Sequence, residues 1–351
     1  MPLDWDDATD DAGDRAMPTN DGPSDRGLRS SGMRDLGPEN MERFRRAERA
    51  FLEVCTRHGY REIRTPALEP LHLYTATGSL SPQLLDGVYS FLDWDGWSGE
   101  RVVLRPDSTV PAARWYEEQH DGDGPARLCY VQPVYRFAPE GDREIWQCGV
   151  ELFGLGAPDG DVELLTLARE FIEAAVAGEV RVEIGHAGLV RAVLAAAGLD
   201  HGEQVEAYDR LLSGEGRLAG ELAERSPESA TALQMLVDLD GGSAAEPGNL
   251  RAALLPIAPE AVGPLDELIA VAGALEEAGV SPAIQPAGAG SFEYYSGLTF
   301  RLSVNDEPLV TGGRYDGLTS ALGDRDVPAS GFGADLLRIA DLAGGRAEAT
   351  Q

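Results

Sequence analysis

An amide and a carboxylate stand close together in the segment YRFAPEGDREIWQCGVELFG, residues 135–154. This segment alternates like two strands joined by a polar turn, and the alternation places Gln147, Gly149 and Glu151 on one face. Two polar side chains separated only by a glycine leave an open floor on which a cationic or hydrogen-bonding small molecule can bind. The same pattern also fits the solvent face of a hairpin, so the segment alone leaves both interpretations open.

Three tyrosines lie in two later segments, SFEYYSGLTF (291–300) and GGRYDGL (312–318). Adjacent side chains of a strand point to opposite sides, so only one of Tyr294 and Tyr295 can face a pocket together with Tyr315. The glycines Gly312 and Gly313 permit either close backbone approach or a positive φ at a strand end. Tyrosines in strands also serve core or surface packing, which is the competing interpretation here.

An acid and a hydroxyl occur in the segment LRPDST, residues 104–109, between a strand pattern and a helix pattern that begins VPAARWYEE. Asp107 and Thr109 could receive an ammonium group through charge-assisted hydrogen bonds. Capping of the helix that follows is the alternative role for both side chains.

The elements that must position these side chains follow an α+β pattern. Pro38 and Glu39 suit the first turn of a helix, whose apolar residues recur every three or four positions until Gly59. Strand patterns lie at 101–104, 128–131, 134–137, 144–149, 180–184, 298–304, 309–318 and 327–339, and helix patterns lie at 161–177 and in a block at about 186–280. We therefore predict a mostly antiparallel sheet flanked by helices, with a helical insertion at about 186–280.

The two ends of the chain lack this patterning. Residues 1–35 combine six aspartates between Asp4 and Asp14 with glycine, proline and serine, without an apolar period. We predict a disordered acidic tail at 1–35, a folded core at 36–345 and a short tail at 346–351.

The net charge of −31 argues against nucleic acid as a partner. All 29 basic residues are arginine, and their longest run, from Arg43 to Arg49, has the helical spacing of a solvated face. The three cysteines, Cys55, Cys129 and Cys148, are far apart and form no CxxC pair, so we expect buried free thiols, no metal and no cofactor. Without an apolar run of about 18 residues or a secretory signal, no membrane association and a cytoplasmic location are expected.

In their order and spacing, these segments resemble the catalytic core of histidyl-tRNA synthetase and its relatives, a class II aminoacyl-tRNA synthetase family. GYREIRTPALEP, LRPDST, VYRF, QCGVELFG, YYSGLTF, GGRYDGL and GFGADLLRI match the family's signatures between about Pro38 and Leu342. The resemblance implies a class II synthetase-like fold and a homodimer formed through the first signature, around Ile63 to Leu71.

The same resemblance implies a pocket for L-histidine. It assigns Asp107 and Thr109 to the amino group, Gln147 and Glu151 to the floor, and Tyr294, Tyr295 and Tyr315 to the imidazole. Carboxylate, amide and phenol groups can satisfy the ammonium and ring N–H groups of histidine, while aromatic rings pack against the imidazole faces. The glycine-flanked segments 288–291 and 312–316 are expected to close over this ligand.

Two departures from the synthetase pattern predict that the chain has no catalytic residues. Synthetases of this type hold ATP with an Arg-x-Glu signature, but here Arg136 is followed by Phe137 and Ala138. They also place an arginine before the tyrosine pair, where this chain has Gly290. By the same resemblance, we expect Arg136 and Arg338 to remain as a vestigial nucleotide cleft.

A chain that has a histidine pocket but lacks ATP chemistry resembles the regulatory subunits that work beside short-form ATP phosphoribosyltransferase. The last matched segment lies near the end of the chain, so we expect no anticodon-binding domain and no tRNA partner. The resemblance implies that this chain forms a hetero-oligomer with the catalytic subunit of that transferase. The catalytic subunit would carry out the first step of histidine biosynthesis, and histidine would inhibit it through this chain.

Two other functions remain open at this point. One is a truncated ligase that adenylates histidine or another small acid, which Ala138 and Gly290 oppose. The other is a stand-alone amino-acid-binding module without a transferase partner.

Overall fold

A long amphipathic helix, α1 (Pro38–Arg57), begins the regular structure of the computed structural model. The model describes residues 29–77, 87–94, 98–122, 124–139, 141–212, 218–239, 248–287 and 295–348. Proline in the first turn suits the start of α1, and Gly59 with a φ of 77° follows its end. The apolar stripe of α1, including Phe44, Phe51 and Val54, is buried as its spacing predicts.

Eleven further α-helices follow in the described parts of the chain. They are α2 (Leu71–Ala76), α3 (Thr109–Gln119), α4 (Asp159–Ala175), α5 (Ala187–Ala196), α6 (His201–Leu212), α7 (Leu218–Arg225), α8 (Pro227–Asp238), α9 (Gly248–Leu254), α10 (Val262–Glu277), α11 (Gly317–Leu322) and α12 (Leu336–Glu348). A 3-10 turn, Pro259–Ala261, precedes α10. None of the helices within the described ranges is long and apolar enough to cross a membrane.

An eight-stranded sheet forms the centre of the fold, in the order β1-β5-β6-β11-β10-β9-β7-β8. Its strands are β1 (Arg61–Glu62), β5 (Ala126–Tyr135), β6 (Glu144–Phe153), β7 (Val180–His186), β8 (Ala283–Ile284), β9 (Leu298–Val304), β10 (Glu307–Arg314) and β11 (Ala329–Asp335). Only the outermost pairs, β1 with β5 and β7 with β8, are parallel. The predicted α+β fold around a mostly antiparallel sheet is confirmed.

The two faces of this sheet differ because side chains alternate along each strand. On one face, Cys148, Val150 and Leu152 of β6 are fully buried, and helices α1, α4 and α12 pack there. The opposite face carries polar residues and glycines in register. One row runs across six strands through Tyr130, Gly149, Gly333, Thr311, Arg301 and Glu183. The sheet thus has a core face and an open, polar face.

A second, small sheet has the order β2-β4-β3. Its strands are β2 (Leu68–Pro70), β3 (Ser90–Trp94) and β4 (Gly99–Leu104). Every residue of β3 is exposed, and large apolar side chains such as Phe91 and Trp94 are among them. This sheet therefore presents an apolar surface outside the core.

The helical block lies between the end of β7 and the start of β8. Helices α5 to α10 occupy it, and the chain then returns to the sheet at β8, which pairs with β7. Both ends of the block are therefore anchored at the same edge of the main sheet.

Local differences from the sequence patterns have clear causes. The patterns at 128–131 and 134–137 merge into one strand, β5, whose ladder runs through Pro133 and ends at Tyr135, two residues before the second pattern ends. Residues 29–35, placed in the tail by composition, contact the core: Arg143 N donates to Gly32 O at 2.7 Å, and Arg34 donates to Asp341. Residues 1–28 and 349–351 of the predicted tails lie outside the described residues.

Candidate ligand-binding site

A cavity of about 550 Å³ lies on the open face of the main sheet. Asp107, Thr109, Gln147, Tyr295, Tyr315, Arg136 and Arg338 line it together with residues of β9, β10 and β11. Glycines make room for it: a Cβ at Gly333 would lie 2.7 Å from Nε2 of Gln147, and a Cβ at Gly331 would collide with the Glu151 carboxylate. The cavity exists because β11 crosses the site without side chains at these two positions.

Glu151 forms the buried floor beside this cavity. Tyr130 Oη donates to Glu151 Oε1 at 2.9 Å, and Tyr315 Oη donates to Oε2 in a shorter bond. Burial raises the pKa of Glu151 to about 8, although the hydrogen bond from Tyr315 acts in the opposite direction. The nearby Asp107 carboxylate adds to the rise. The floor is therefore a buried carboxyl group that holds a proton near neutral pH.

Asp107 and Thr109 lie at the start of α3 and also line the cavity, so the structure bears on both predicted roles, helix capping and ligand binding. Asp107 Oδ1 accepts from the backbone N–H groups of Thr109 at 2.8 Å and Val110 at 3.2 Å. Burial raises the pKa of Asp107, while the neighbouring Arg136 lowers it. Asp107 thus caps the helix with one oxygen and also lines the cavity.

Gln147 has an unused hydrogen-bonding atom at the cavity. Its Oε1 is buried and has no hydrogen-bond partner among the residues that the structure describes. Buried polar atoms nearly always have a partner, so an acceptor left open beside a cavity indicates a ligand donor. Gln147, Gly149 and Glu151 share one face of β6, as the alternation predicts, because the strand runs without a bulge from Glu144 to Phe153.

Two of the three predicted tyrosines are described, and both reach the cavity. The ring centroids of Tyr295 and Tyr315 lie 6.5 Å apart, and both side chains are buried. Tyr295 precedes β9 instead of belonging to it, since the strand begins at Leu298. Arg191 of α5 donates to the Tyr295 carbonyl at 3.1 Å. Tyr294 and residues 288–291 lie outside the described residues.

The segment that carries Tyr315 is anchored on several sides. Arg314 is almost fully buried and pairs with Asp161 at 2.9 Å and Asp316 at 3.0 Å. Gly312 and Gly313 belong to β10, which pairs with both neighbouring strands, and neither has a positive φ. Close approach is their role, because Phe300 and Tyr295 occupy the space where side chains would stand. Strand pairing and the Arg314 ion pairs thus make 312–316 a wall of the cavity in this conformation, and its closure over a ligand stays a prediction.

Several site residues were missed by the sequence argument. Tyr130, Arg301 and Thr311 carry polar groups on the open face, but their proximity to Glu151 or to the cavity depends on strand register. The alternation of LCYV in β5 was the one available signal for Tyr130. Across the described ranges, no group of three or more histidine, cysteine, aspartate or glutamate side chains could hold a metal ion.

Known proteins of one family are similar to this chain in sequence and in fold. A family model described as histidyl-tRNA synthetase matches residues 32–339. A crystal structure of an ATP phosphoribosyltransferase regulatory subunit/histidyl-tRNA synthetase from Bacillus halodurans C has a TM-score of 0.79 and 28% identity, covering 90% of this chain and 83% of the other. A relative from Dehalococcoides mccartyi (strain CBDB1), named ATP phosphoribosyltransferase regulatory subunit, is 44% identical over 89% of this chain and 76% of the relative. This chain belongs to the ATP phosphoribosyltransferase regulatory subunit family.

A second curated relative carries the same name. It comes from Anaeromyxobacter sp. (strain K) and is 35% identical over 87% of this chain and 88% of its own length. The predicted family is thereby confirmed, and with it the prediction that this member of the synthetase-like fold is a regulatory, non-catalytic subunit.

The two arginines that the resemblance assigns to a vestigial nucleotide cleft both line the cavity. Arg136 Nε donates to the Pro106 carbonyl at 2.7 Å, and its guanidinium lies near Asp107. Arg338, at the first turn of α12, forms an ion pair with Glu307. Ala138 offers only its backbone carbonyl, which accepts from Arg143 Nε at 2.7 Å. Arg136 is thus held within the chain through its Nε, and Arg338 through its ion pair.

Proposed function

We propose that this chain binds L-histidine in the cavity beside Glu151 and conveys feedback by histidine to a short-form ATP phosphoribosyltransferase catalytic subunit. The observation that carries the proposal is the arrangement of acceptors at the cavity. Glu151 is held between two tyrosine hydroxyls, and the Oε1 of Gln147 is unused within the described residues. A ligand with several N–H donors and an aromatic ring satisfies both features.

The size and polarity of the cavity support an amino acid as the ligand. Asp107, Thr109 and Gln147 offer acceptors for an ammonium group at one end. Arg136 supplies a cation beside them for a carboxylate group. The imidazole then packs against the rings of Tyr295 and Tyr315, with a ring N–H directed to Glu151. Each polar group of histidine has a partner of opposite character in this pose.

The names of the relatives support the partner. They are regulatory subunits of ATP phosphoribosyltransferase, and a regulatory subunit acts only through a catalytic one. Histidine has an effect on that partner only if it binds two states of the assembly with different affinity. A coupling of about 1 to 3 kcal/mol changes an apparent affinity by roughly 5- to 150-fold.

The exposed apolar surface of the small sheet supports the homodimer that the resemblance implies. Leu68 of β2, Phe91, Leu92 and Trp94 of β3 all expose large apolar side chains, and Leu68 lies in the first signature. Trp94, for example, is 60% exposed. A second copy of the chain is the occupant that we propose for this surface. We expect Trp94→Asp to sediment as a smaller species than the wild-type chain.

Calorimetric titration with histidine tests the binding step. Wild type should bind histidine, and Glu151→Ala should not, because the mutant lacks the acceptor for the ring N–H. Glu173→Ala, which removes an exposed carboxylate on α4, is the matched control and should bind normally. Equal affinity in wild type and Glu151→Ala would show that histidine does not bind here.

A further inference from the structure

A second cavity, of about 730 Å³, adjoins the first and shares Ile145, Asp335 and Arg338 with it. We call this the outer cavity. Arg338 lies at the junction of the two cavities, so it is the cation that an elongated anionic ligand would meet on passing from one to the other. Its guanidinium is already paired: both Nε and a terminal nitrogen contact Oε1 of Glu307, the first residue of β10.

The other arginine of the outer cavity is paired as well. Arg34 lies 3.1 Å from Asp341 on α12 and 3.6 Å from Asp142 in the turn between β5 and β6. Asp335 adds a carboxylate that caps α12 by accepting from the backbone N–H of Leu337 at 3.0 Å. Among the residues that the structure describes, the ionisable side chains around the outer cavity are four acids (Asp142, Glu307, Asp335, Asp341) and two arginines (Arg34, Arg338).

We propose that Glu307 is a specificity determinant that excludes nucleotide polyphosphates from the histidine site by neutralising Arg338. This inference rests on the proposed function, in which the catalytic partner uses ATP. A regulatory site that also accepted ATP would be occupied by the partner's substrate, whatever the histidine level. The Glu307 carboxylate removes that competition, because a phosphate group must displace it and then lie among three further carboxylates.

The position of Glu307 confines its effect to the outer cavity. Glu307 lines the outer cavity only, whereas the proposed histidine contacts Asp107, Gln147 and Tyr315 line the first one. A zwitterionic amino acid held by those contacts does not need Arg338. Replacing Glu307 should therefore change affinity for polyphosphates and leave affinity for histidine unchanged.

The structure also indicates that the substitution is tolerated. Both side chains of the Arg338 and Glu307 pair are more than a third exposed, and such pairs contribute little to folding. Glu307→Gln keeps the shape of the side chain and removes its charge. The pair of Arg169 and Glu173 on α4 has similar exposure and lies away from both cavities, so Glu173→Gln is the matched control.

The test is calorimetric titration of the full chain with ATP, with inorganic tripolyphosphate and, in parallel, with histidine. Loss of one negative charge beside a phosphate site should raise the affinity of Glu307→Gln for both polyphosphates by about 5- to 30-fold at low salt. Added salt should reduce that gain. The double variant Glu307→Gln with Arg338→Gln should lose the gain, and Glu173→Gln should match wild type.

Each outcome decides the proposal. A gain that requires Arg338, with histidine affinity unchanged within about twofold, supports it. Unchanged polyphosphate affinity in Glu307→Gln overturns it, as does tight binding of ATP by the wild-type chain. The histidine titration separates this result from the proposed function: if histidine fails to bind to any variant, the proposed function is wrong, whatever the polyphosphate data show.

Discussion

The hydroxyl of Tyr315 reaches across Gly331 to donate a hydrogen bond to the Glu151 carboxylate. The two residues come from chain segments 164 positions apart and are separated by the strand β11. Gly331 pairs directly with Glu151 in the sheet, and its lack of a side chain opens the path between them. This contact joins the floor of the cavity to its wall.

Glu151 should make the stability of the free chain depend on pH. Its pKa is raised from an ordinary value of 4.5 to about 8, so between those values the folded state keeps a proton that the unfolded state has lost. The free energy of unfolding therefore falls as pH rises through this range and the loss is complete above it. Glu151→Gln should be more stable than wild type at pH 8 by on the order of 2 to 4 kcal/mol, with little difference at pH 4.5.

Urea denaturation of both proteins across this pH range measures the effect. Glu173→Gln, an exposed control on α4, should follow the wild-type curve. Parallel curves for wild type and Glu151→Gln would mean that the Glu151 carboxyl is ionised in the folded chain at neutral pH.

A side chain at position 331 should destabilise the folded chain and disturb the site. A Cβ there would collide with Glu151 and lie 2.6 Å from the Tyr315 hydroxyl. Gly331→Ala should therefore destabilise the chain by about 1 to 3 kcal/mol and weaken histidine binding at least tenfold. Gly273 in the middle of α10 has open space around it, so Gly273→Ala should stabilise the chain by about 0.5 to 1 kcal/mol. Thermal unfolding and histidine titration of both variants measure these effects. Normal histidine binding by Gly331→Ala would show that the contact between Tyr315 and Glu151 is not part of the binding site.

The purified chain should not catalyse histidine-dependent exchange between pyrophosphate and ATP. The second signature has Ala138 in place of its acid, and Arg136 and Arg338 are engaged by a carbonyl and a carboxylate within the chain. Loss of one group that stabilises the transition state costs about a hundredfold or more in rate. Radiolabelled pyrophosphate exchange measures this, and a histidine-dependent signal above background would identify a ligase.

Local patterns in the sequence were sufficient for part of the site. Alternation placed Gln147 and Glu151 on one face because the period of a strand is two residues, whatever its neighbours are. The helix pattern located α1 for a similar reason. The sequence also located Asp107 at the start of α3. It did not decide between helix capping and a place in the pocket, and in the structure the Asp107 carboxylate caps the helix and lines the cavity.

The remaining features depend on contacts between distant segments. Tyr130 reaches Glu151 only because β5 and β6 pair in one register, and a shift of one residue would turn it to the core. No sequence pattern links Arg338 to its partner Glu307, which lies 31 positions earlier, at the start of β10. The role of Gly312 as a point of close approach likewise required the position of Phe300. Periodicity carries no information on such pairings.

Reconstitution with the catalytic subunit tests the central claim most directly. A short-form ATP phosphoribosyltransferase is assayed alone, with this chain, with its Glu151→Ala variant and with the Glu173→Ala control, while histidine is titrated. We predict that wild type and Glu173→Ala confer inhibition by histidine and that Glu151→Ala assembles with the enzyme but leaves it insensitive. If the transferase shows the same activity and the same response to histidine in all four samples, this chain is not its histidine-sensing subunit.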